Sequence, residues 1–203
     1  MTRPERRREI MQAAEKLFTT RRFHEITTDD VAKAAGVGKG TIYRYFEDKE
    51  DLFFETAMSG FDELCDLVRQ SVTDQAPFVE QLVGACAEIG GFFARRRQLF
   101  RMMQAEDGRA MLCHGSLYER WLTHRQRLIG AVSEIIARGV CEGQIRGDIP
   151  AEVLTHFLLG TLRTRARDMA NLPEEVRTLD RAVDVFLHGA APAAPQPGKK
   201  GRQ

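Results

Sequence analysis

The chain has 203 residues, with 30 basic and 29 acidic side chains, and hydrophobic residues make up 43% of it. This composition is typical of a folded domain with a hydrophobic core, and it excludes bulk disorder and collagen-like structure. No apolar run approaches the roughly 18 to 20 residues that span a bilayer, and the start lacks a signal-peptide pattern, so we expect a cytoplasmic protein without membrane contacts.

The first predicted helix carries its apolar side chains on one face, because they recur three and four positions apart. These residues are Ile10, Ala13, Ala14, Leu17 and Phe18. Four arginines precede them, at positions 3, 6, 7 and 8. The arginines either contact a nucleic-acid backbone or form a solvated charge run, and the sequence leaves both alternatives open.

Two short helices with a tight turn between them follow. Thr27 can cap the first of the two, and Gly36 can take the left-handed conformation that ends it. The second short helix runs from Lys39 to Phe46. A helix-turn-helix of this kind places its second helix in the major groove of DNA.

The second short helix has a polar outer face, with Ile42 as an inner anchor. Lys39 and Arg44 can donate to guanine or phosphate, and Thr41 and Tyr43 can donate to phosphate. A further group of residues offers the backbone or a helix start to a phosphate. This group consists of Gly40, which allows close backbone approach, and of Thr27, Thr28 and Lys49 at helix starts.

The stretch from Arg7 to Phe54 closely resembles the DNA-binding domain of the TetR family of bacterial transcriptional repressors. The resemblance is carried by the first-helix apolar residues, by Thr27 and Thr28, and by the segment VAKAAGVGKGTIYRYFEDKEDLF. It implies an N-terminal three-helix domain fused to a larger helical domain that dimerises and binds a small molecule. Many members carry a polar residue where this chain has Gly38, so one DNA contact is not implied here.

The resemblance also implies roles for single residues. Phosphate contacts are implied for Thr28 and Lys49, and contacts near the groove edge for Thr41 and Tyr43. Base reading is implied for Lys39 and Arg44, and a backbone contact for Tyr45. The implied function is a ligand-released repressor that binds a palindromic operator in double-stranded DNA as a homodimer.

Beyond residue 50 the periodicity stays helical. We predict helices over 48–72, 76–95, 97–105, 109–142, 149–170 and 173–188. The fold class is therefore all-α, with about nine helices. The predicted domains are a helix-turn-helix domain over 1–50, a ligand-binding and dimerisation domain over 51–189, and a disordered basic tail over 190–203.

The last two predicted helices are the candidates for the dimer interface, although internal packing explains their apolar stripes equally well. The interface residues predicted are Val153, Phe157, Leu158, Leu162, Val176, Leu179, Val183, Phe186 and Leu187. Large adaptable side chains and one misplaced charge indicate an effector pocket, although the same side chains also make a typical core. The pocket residues predicted are Phe92, Phe93, Met102, Met103, Tyr118, Trp121, Arg125 and Phe157. Arg125 either faces an acidic effector group or lies along the surface.

Two further functions have weaker support. A cytosolic enzyme would use His114, His124, Cys113 or Glu119, but no nucleophile elbow, phosphate loop or metal-ligand spacing accompanies them. A redox sensor would use the thiol of Cys113 beside His114. The four cysteines form no CxxC pair, so we expect no metal site. We also expect no cofactor and no catalytic residue.

Overall fold

A computed structural model describes residues 2–70, 76–104 and 115–191, without the side chains of 102–104. Every regular element in these ranges is helical, which confirms the all-α prediction. In chain order the helices are α1 (Arg3–Thr20), α2 (Thr28–Ala34), α3 (Lys39–Tyr43), α4 (Lys49–Met58), α5 (Phe61–Gln70), α6 (Phe78–Arg95), α7 (Arg97–Gln104), α8 (Ser116–Cys141), α9 (Ala151–Arg167) and α10 (Leu179–Ala190). Short 3-10 turns lie at Phe23–Glu25 and Glu174–Val176.

The chain divides into two compact units. Unit 1 consists of Met1–Leu64 and Gly91–Gln126, and unit 2 consists of Cys65–Gly90 and Arg127–Gln203. Unit 1 is thus larger than the predicted helix-turn-helix domain, because it also includes a later segment of the chain. The functional boundary at residue 50 stays a prediction.

An apolar core holds the helices of unit 1 together. The predicted inner face of α1 is buried at Ile10, Ala14 and Phe18. The Phe18 ring packs edge-on against the Phe53 ring of α4, with 5.0 Å between centroids. Burying such aromatic side chains contributes roughly 1.5–3 kcal/mol each to folding, and it fixes α1 against α4.

Two predicted helices are interrupted. The predicted helix 48–72 is wrong as one element, because α4 ends at Met58 and Gly60 has a φ of +76° before α5 begins. The predicted helix 173–188 is also wrong as one element. Thr178 caps α10 by accepting a hydrogen bond from the Arg181 amide at 3.3 Å, after a separate 3-10 turn. Of the predicted helix 109–142, residues 109–114 lie outside the described residues.

Unit 2 packs α9 against α10 and buries the inner faces of both. Leu158 and Val183 are among the buried side chains of these helices. The Ser133 hydroxyl of α8 lies 3.0 Å from the Thr155 hydroxyl of α9, which satisfies a polar group in a buried position. Among the residues that the structure describes, no helix combines the length and the apolarity needed to cross a bilayer.

Candidate nucleic-acid interface

α2 and α3 form the predicted helix-turn-helix. The Thr27 hydroxyl accepts a hydrogen bond from the Asp30 amide at 3.2 Å, and the Asp30 carboxylate accepts one from the Thr27 amide at 2.9 Å. The second bond stabilises the ionised carboxylate, so the pKa of Asp30 lies below its ordinary value. Gly36, with a φ of +64°, follows the end of α2, and the Val37 amide then donates to the Ala32 carbonyl at 2.9 Å.

α3 presents its polar side chains outward because two apolar residues fix its inner face. Ile42 is fully buried and Phe46 is 2% exposed. Tyr43 is 51% exposed. The other predicted contact residues of α3 and its C-terminal turn are also accessible: Lys39, Gly40 and Arg44 are exposed, and Thr41 and Tyr45 are half-buried. The outer face is therefore free to meet a partner, while its contacts with DNA stay a prediction.

One flank of α3 faces the start of α2. The Tyr43 hydroxyl lies 3.2 Å from the Thr28 hydroxyl, so two predicted phosphate-contacting groups stand side by side. Thr28 itself is only 9% exposed. A phosphate oxygen placed against this pair can accept from Tyr43 without Thr28 becoming fully accessible.

Lys39, on the same flank, is paired with a residue that the sequence did not link to it. Its ammonium donates to the Asp29 carboxylate at 2.9 Å. That hydrogen bond, together with the attraction of the carboxylate, raises the pKa of Lys39. Because an ammonium has more than one donor, Lys39 can keep Asp29 and still reach a base edge.

Lys49, whose phosphate contact stays a prediction, makes contacts inside the protein. Its ammonium donates to the Phe23 carbonyl at 3.1 Å and lies 4.1 Å from the centroid of the Phe23 ring. The structure therefore shows Lys49 fastening α4 to the 3-10 turn before α2. Its position at the start of α4 is as predicted, but its side chain is already engaged.

The opposite flank of α3 borders the start of α1. An open groove of about 460 Å³ runs between them. It is lined by Thr2, Arg3, Arg6, Val37, Thr41, Arg44 and Tyr45. The Arg3 guanidinium lies 5.9 Å from the centroid of the Tyr45 ring. Two arginines of the N-terminal run thus lie beside the predicted DNA-reading helix, as side chains of a formed helix.

The predicted pocket residues differ in their surroundings. Phe92 and Phe93 belong to an aromatic cluster of unit 1, in which the Phe92 and Phe61 rings lie 5.6 Å apart and the Phe93 and Phe100 rings 4.7 Å apart. Phe92 is buried, whereas Phe93 and Phe100 are half-buried. Phe157 belongs to unit 2, and the side chains of Met102 and Met103 lie outside the described residues.

Arg125 does not face inward. It is exposed, and its guanidinium lies 5.8 Å from the centroid of the half-buried Trp121 ring. Of the two alternatives, the surface position is therefore the one observed. The prediction that Arg125 is buried and faces an acidic effector group is wrong. Tyr118 is 44% exposed, so it is not part of a closed wall either.

The predicted dimer stripe mixes two faces. Leu158, Leu162, Val183 and Phe186 are at most 7% exposed within one protomer, so predicting them as contacts to a second copy is wrong. Periodicity selected these residues because they pack α9 against α10. Leu179 and Leu187 are half-buried. Val153, Phe157 and Val176 remain accessible, at 41%, 63% and 50% exposure.

Sequence reasoning missed part of the exposed face. Val185 is 68% exposed and shares an open groove of about 570 Å³ with Phe157 and Val176. We define the exposed stripe as Val153, Phe157, Val176 and Val185. Val185 follows the buried Val183 by two positions, which is the signal that would have placed it on the other side of α10.

Only part of the residues named for the two weaker functions lies in the described ranges. Cys65 and Cys86 are buried, and burial raises the pKa of the Cys86 thiol to about 12. Cys113 and His114 lie outside the described residues. Within 2–70, 76–104 and 115–191, no group of three or more histidine, cysteine or acidic residues could hold a metal ion. His124 packs between the Phe54 and Phe61 rings, with its Nδ1 3.6 Å from the Asp62 carboxylate.

Residues 10–56 match the family model described as bacterial regulatory proteins, tetR family. Over 190 residues, which are 94% of this chain and 94% of the relative, the sequence is 26% identical to the HTH-type transcriptional repressor AcnR of Corynebacterium diphtheriae. Over 100 residues it is 38% identical to the HTH-type transcriptional regulator YhgD of Bacillus subtilis, covering 49% of this chain and 52% of that protein.

The fold is similar to that of a solved transcriptional regulator, FadR from Bacillus subtilis in complex with stearoyl-CoA. The TM-score is 0.73 at 19% sequence identity, and the match covers 89% of this chain and 97% of the other. At this identity the likeness concerns the fold alone.

Proposed function

We propose that the chain, whose residues 10–56 match the tetR family of bacterial regulatory proteins, is a DNA-binding transcriptional regulator of that family. In this proposal it is a homodimeric repressor released from its operator by a small hydrophobic effector. As a regulator of bacterial DNA it acts in the cytoplasm, and it has no catalytic activity of its own.

The observation that carries the proposal is the construction of α3. Ile42 and Phe46 hold one face in the core, while Lys39, Tyr43 and Arg44 stand exposed on the other. A short helix of this shape fits the major groove, and two copies about 34 to 36 Å apart read a palindrome.

We assign the contacts by reach. Lys39 and Arg44 read base edges, because their long charged side chains extend furthest from the helix. The Tyr43 and Thr28 hydroxyls, 3.2 Å apart, hold one phosphate together. The remaining predicted contacts, Thr27, Gly40, Thr41 and Tyr45, lie along the DNA backbone. Lys49 keeps α4 against Phe23 and so positions the helix-turn-helix.

The exposed stripe supports the homodimer. Phe157 and Val185 are large apolar side chains, 63% and 68% exposed on two helices that pack together. Apolar side chains that form a contiguous exposed patch on a protomer mark an interaction surface. A second copy that places the same stripe against this one buries both by two-fold symmetry.

The half-buried members of the aromatic cluster, Phe93 and Phe100, support the effector part of the proposal. An apolar compound that covers them in one state of the regulator and not in the other shifts the balance between the two states. Stearoyl-CoA is a sensible first probe, since the FadR structure of similar fold contains it. A panel of apolar compounds follows, with the fall in DNA affinity as the readout.

The test begins with duplexes selected from random-sequence DNA by the wild-type protein. We expect a palindrome to be enriched, and we expect Tyr43→Ala and Lys39→Ala each to weaken its binding by roughly 1–3 kcal/mol. Tyr118→Ala, a truncation of an exposed tyrosine on α8, is the matched control and should leave binding unchanged. A selection without enrichment, or equal affinities for all variants, would overturn the assignment.

A further inference from the structure

We propose that the groove between the start of α1 and the C-terminal part of α3 is a second phosphate-binding surface, in which Arg3 and Arg6 grip the DNA backbone beside the site read by α3. This inference rests on the proposed function and adds a contact region to it. Its occupant is the phosphate backbone of duplex DNA.

The groove collects positive charge from separate parts of the chain. Arg3 and Arg6 come from α1, and Arg44 comes from the turn that follows α3. None of the described residues that line the groove is acidic. Within the described residues, neither Arg3 nor Arg44 forms an ion pair, while Arg6 contacts Glu9 at 3.0 Å, away from the lining. A guanidinium has several donors in a planar fork, so Arg6 can hold Glu9 and a phosphate together.

The start of α1 is a formed helix and therefore holds these arginines in place. The Thr2 amide donates to the Glu5 carboxylate at 2.6 Å, and the Glu5 amide donates to the Thr2 hydroxyl at 3.4 Å. This capping box fixes the first turn, so Arg3 and Arg6, three positions apart, project from one side. The Tyr45 ring, which also lines the groove, has its centroid 5.9 Å from the Arg3 guanidinium, within the range of a cation–π contact.

The shape of the groove favours a polymer over a small anion. It is open to solvent and does not enclose a ligand, and its lining includes Thr41 and Arg44, which also belong to the predicted DNA-reading surface. A strand that passes along α3 therefore continues into the groove. Backbone contacts of this kind add affinity and salt dependence without adding sequence preference.

The experiment compares Arg3→Gln with Arg8→Gln in the full-length protein. Both substitutions remove one positive charge from an exposed position in the first turns of α1, but only Arg3 lines the groove. Dissociation constants are measured against salt concentration, on the duplex selected by the wild-type protein and on a scrambled duplex of equal length. Circular dichroism confirms that each variant is folded.

We expect Arg3→Gln to reduce the slope of log K against log salt by about 1.8 per dimer, twice the roughly 0.9 expected for each phosphate. It should weaken both duplexes by the same factor, and Arg8→Gln should change neither slope measurably. Equal slopes for the two variants would overturn the inference, as would a loss confined to the selected duplex, which indicates base reading. If the wild-type protein selects no duplex at all, the proposed function itself fails, and this outcome is distinct from the other two.

Discussion

The Arg120 guanidinium of α8 donates a hydrogen bond to the Asp51 carboxylate of α4 at 2.7 Å, although the two residues are 69 positions apart. The second Asp51 oxygen accepts from the Glu47 amide at 3.0 Å, directly after the turn that follows α3. Arg120 also pairs with Glu55, which in turn pairs with Arg7 of α1. Within unit 1, one network therefore joins α8, α4, α1 and the residue directly after the turn that follows α3.

Replacing Arg120 with glutamine should lower the free energy of unfolding by about 1–3 kcal/mol. Asp51 is only 8% exposed, so the substitution leaves a buried carboxylate without its cation. The loss stays below that of a fully buried pair, because the Arg120 side chain is 36% exposed. Urea denaturation measures it, with the exposed Arg125→Gln on the same helix as control. Equal effects of the two substitutions would contradict a role for the network.

Local signals made the helix-turn-helix predictable. Thr27 and Gly36 mark the two ends of α2 by side-chain capping and by a positive φ, and both effects act within a few residues. The Arg120 to Asp51 contact has no such signal, because nothing in either neighbourhood specifies a partner 69 positions away. The engagement of Lys49 with Phe23 was missed for the same reason.

The exposed stripe was predicted only in part, because both sides of α9 carry apolar side chains. Leu158 and Phe157 are neighbours in sequence, but Leu158 is fully buried and Phe157 is 63% exposed. Periodicity identifies the richer stripe, and in α9 and α10 the richer stripe is the internal one. Telling the faces apart requires knowing which helices pack together, and this depends on tertiary structure.

The hydroxyls of Tyr43 and Thr28 should act on DNA as a unit. We expect Tyr43→Phe and Thr28→Val each to weaken binding, and the double variant to lose less than the sum, with a coupling of about 0.5–1.5 kcal/mol. The reason is that the two groups, 3.2 Å apart, share one phosphate. Titration of the selected duplex by fluorescence anisotropy gives the four affinities. The control is a second cycle in which Tyr45→Phe, on the other flank of α3, replaces Tyr43→Phe. Strict additivity in both cycles would argue against a shared phosphate.

Introducing charge into the exposed stripe should separate the dimer. Phe157→Asp and Val185→Asp each place a carboxylate where the proposed interface buries apolar side chains 63% and 68% exposed in the protomer. Desolvating that charge costs far more than the lost apolar contact, so both variants should be monomers by sedimentation velocity at micromolar concentration. Val79→Asp, at a 40% exposed position in α6, is the control and should remain dimeric. A dimer for all three variants would place the interface elsewhere.

Native cysteine labelling should discriminate among the described thiols. Burial raises the pKa of Cys86 to about 12, so at pH 8 almost none of it is the reactive thiolate. Cys65 is buried as well, whereas Cys141 is exposed. In a Cys113→Ser background, we expect one fast thiol per chain with Ellman's reagent, and Cys141→Ser should remove it. Fast labelling of Cys86 would contradict its burial and reopen a thiol-based function.

The same shift predicts a loss of stability in alkali. A raised pKa in the folded state means that the neutral Cys86 thiol stabilises the fold fully below the ordinary value of 9.0 and progressively less as the pH rises toward about 12. The contribution falls by up to about 1.4 kcal/mol per pH unit in that window. Between pH 8 and 10.5, the free energy of unfolding should therefore fall more steeply with pH in the wild type than in Cys86→Ala. Parallel curves would show that this thiol ionises as easily in the fold as in the unfolded chain.

Two glycines of α8 should respond oppositely to alanine. At Gly139 a Cβ would lie 2.5 Å and 2.7 Å from ring atoms of Phe78, and 2.9 Å from Ile145. Because Phe78 is fully buried and cannot move outward freely, Gly139→Ala should cost about 1–3 kcal/mol of unfolding free energy. At Gly130 a Cβ meets no atom within 4 Å, so Gly130→Ala should gain about 0.5–1 kcal/mol from helix propensity. Urea denaturation gives both values, and a gain at Gly139 would mean that α8 does not approach Phe78 this closely.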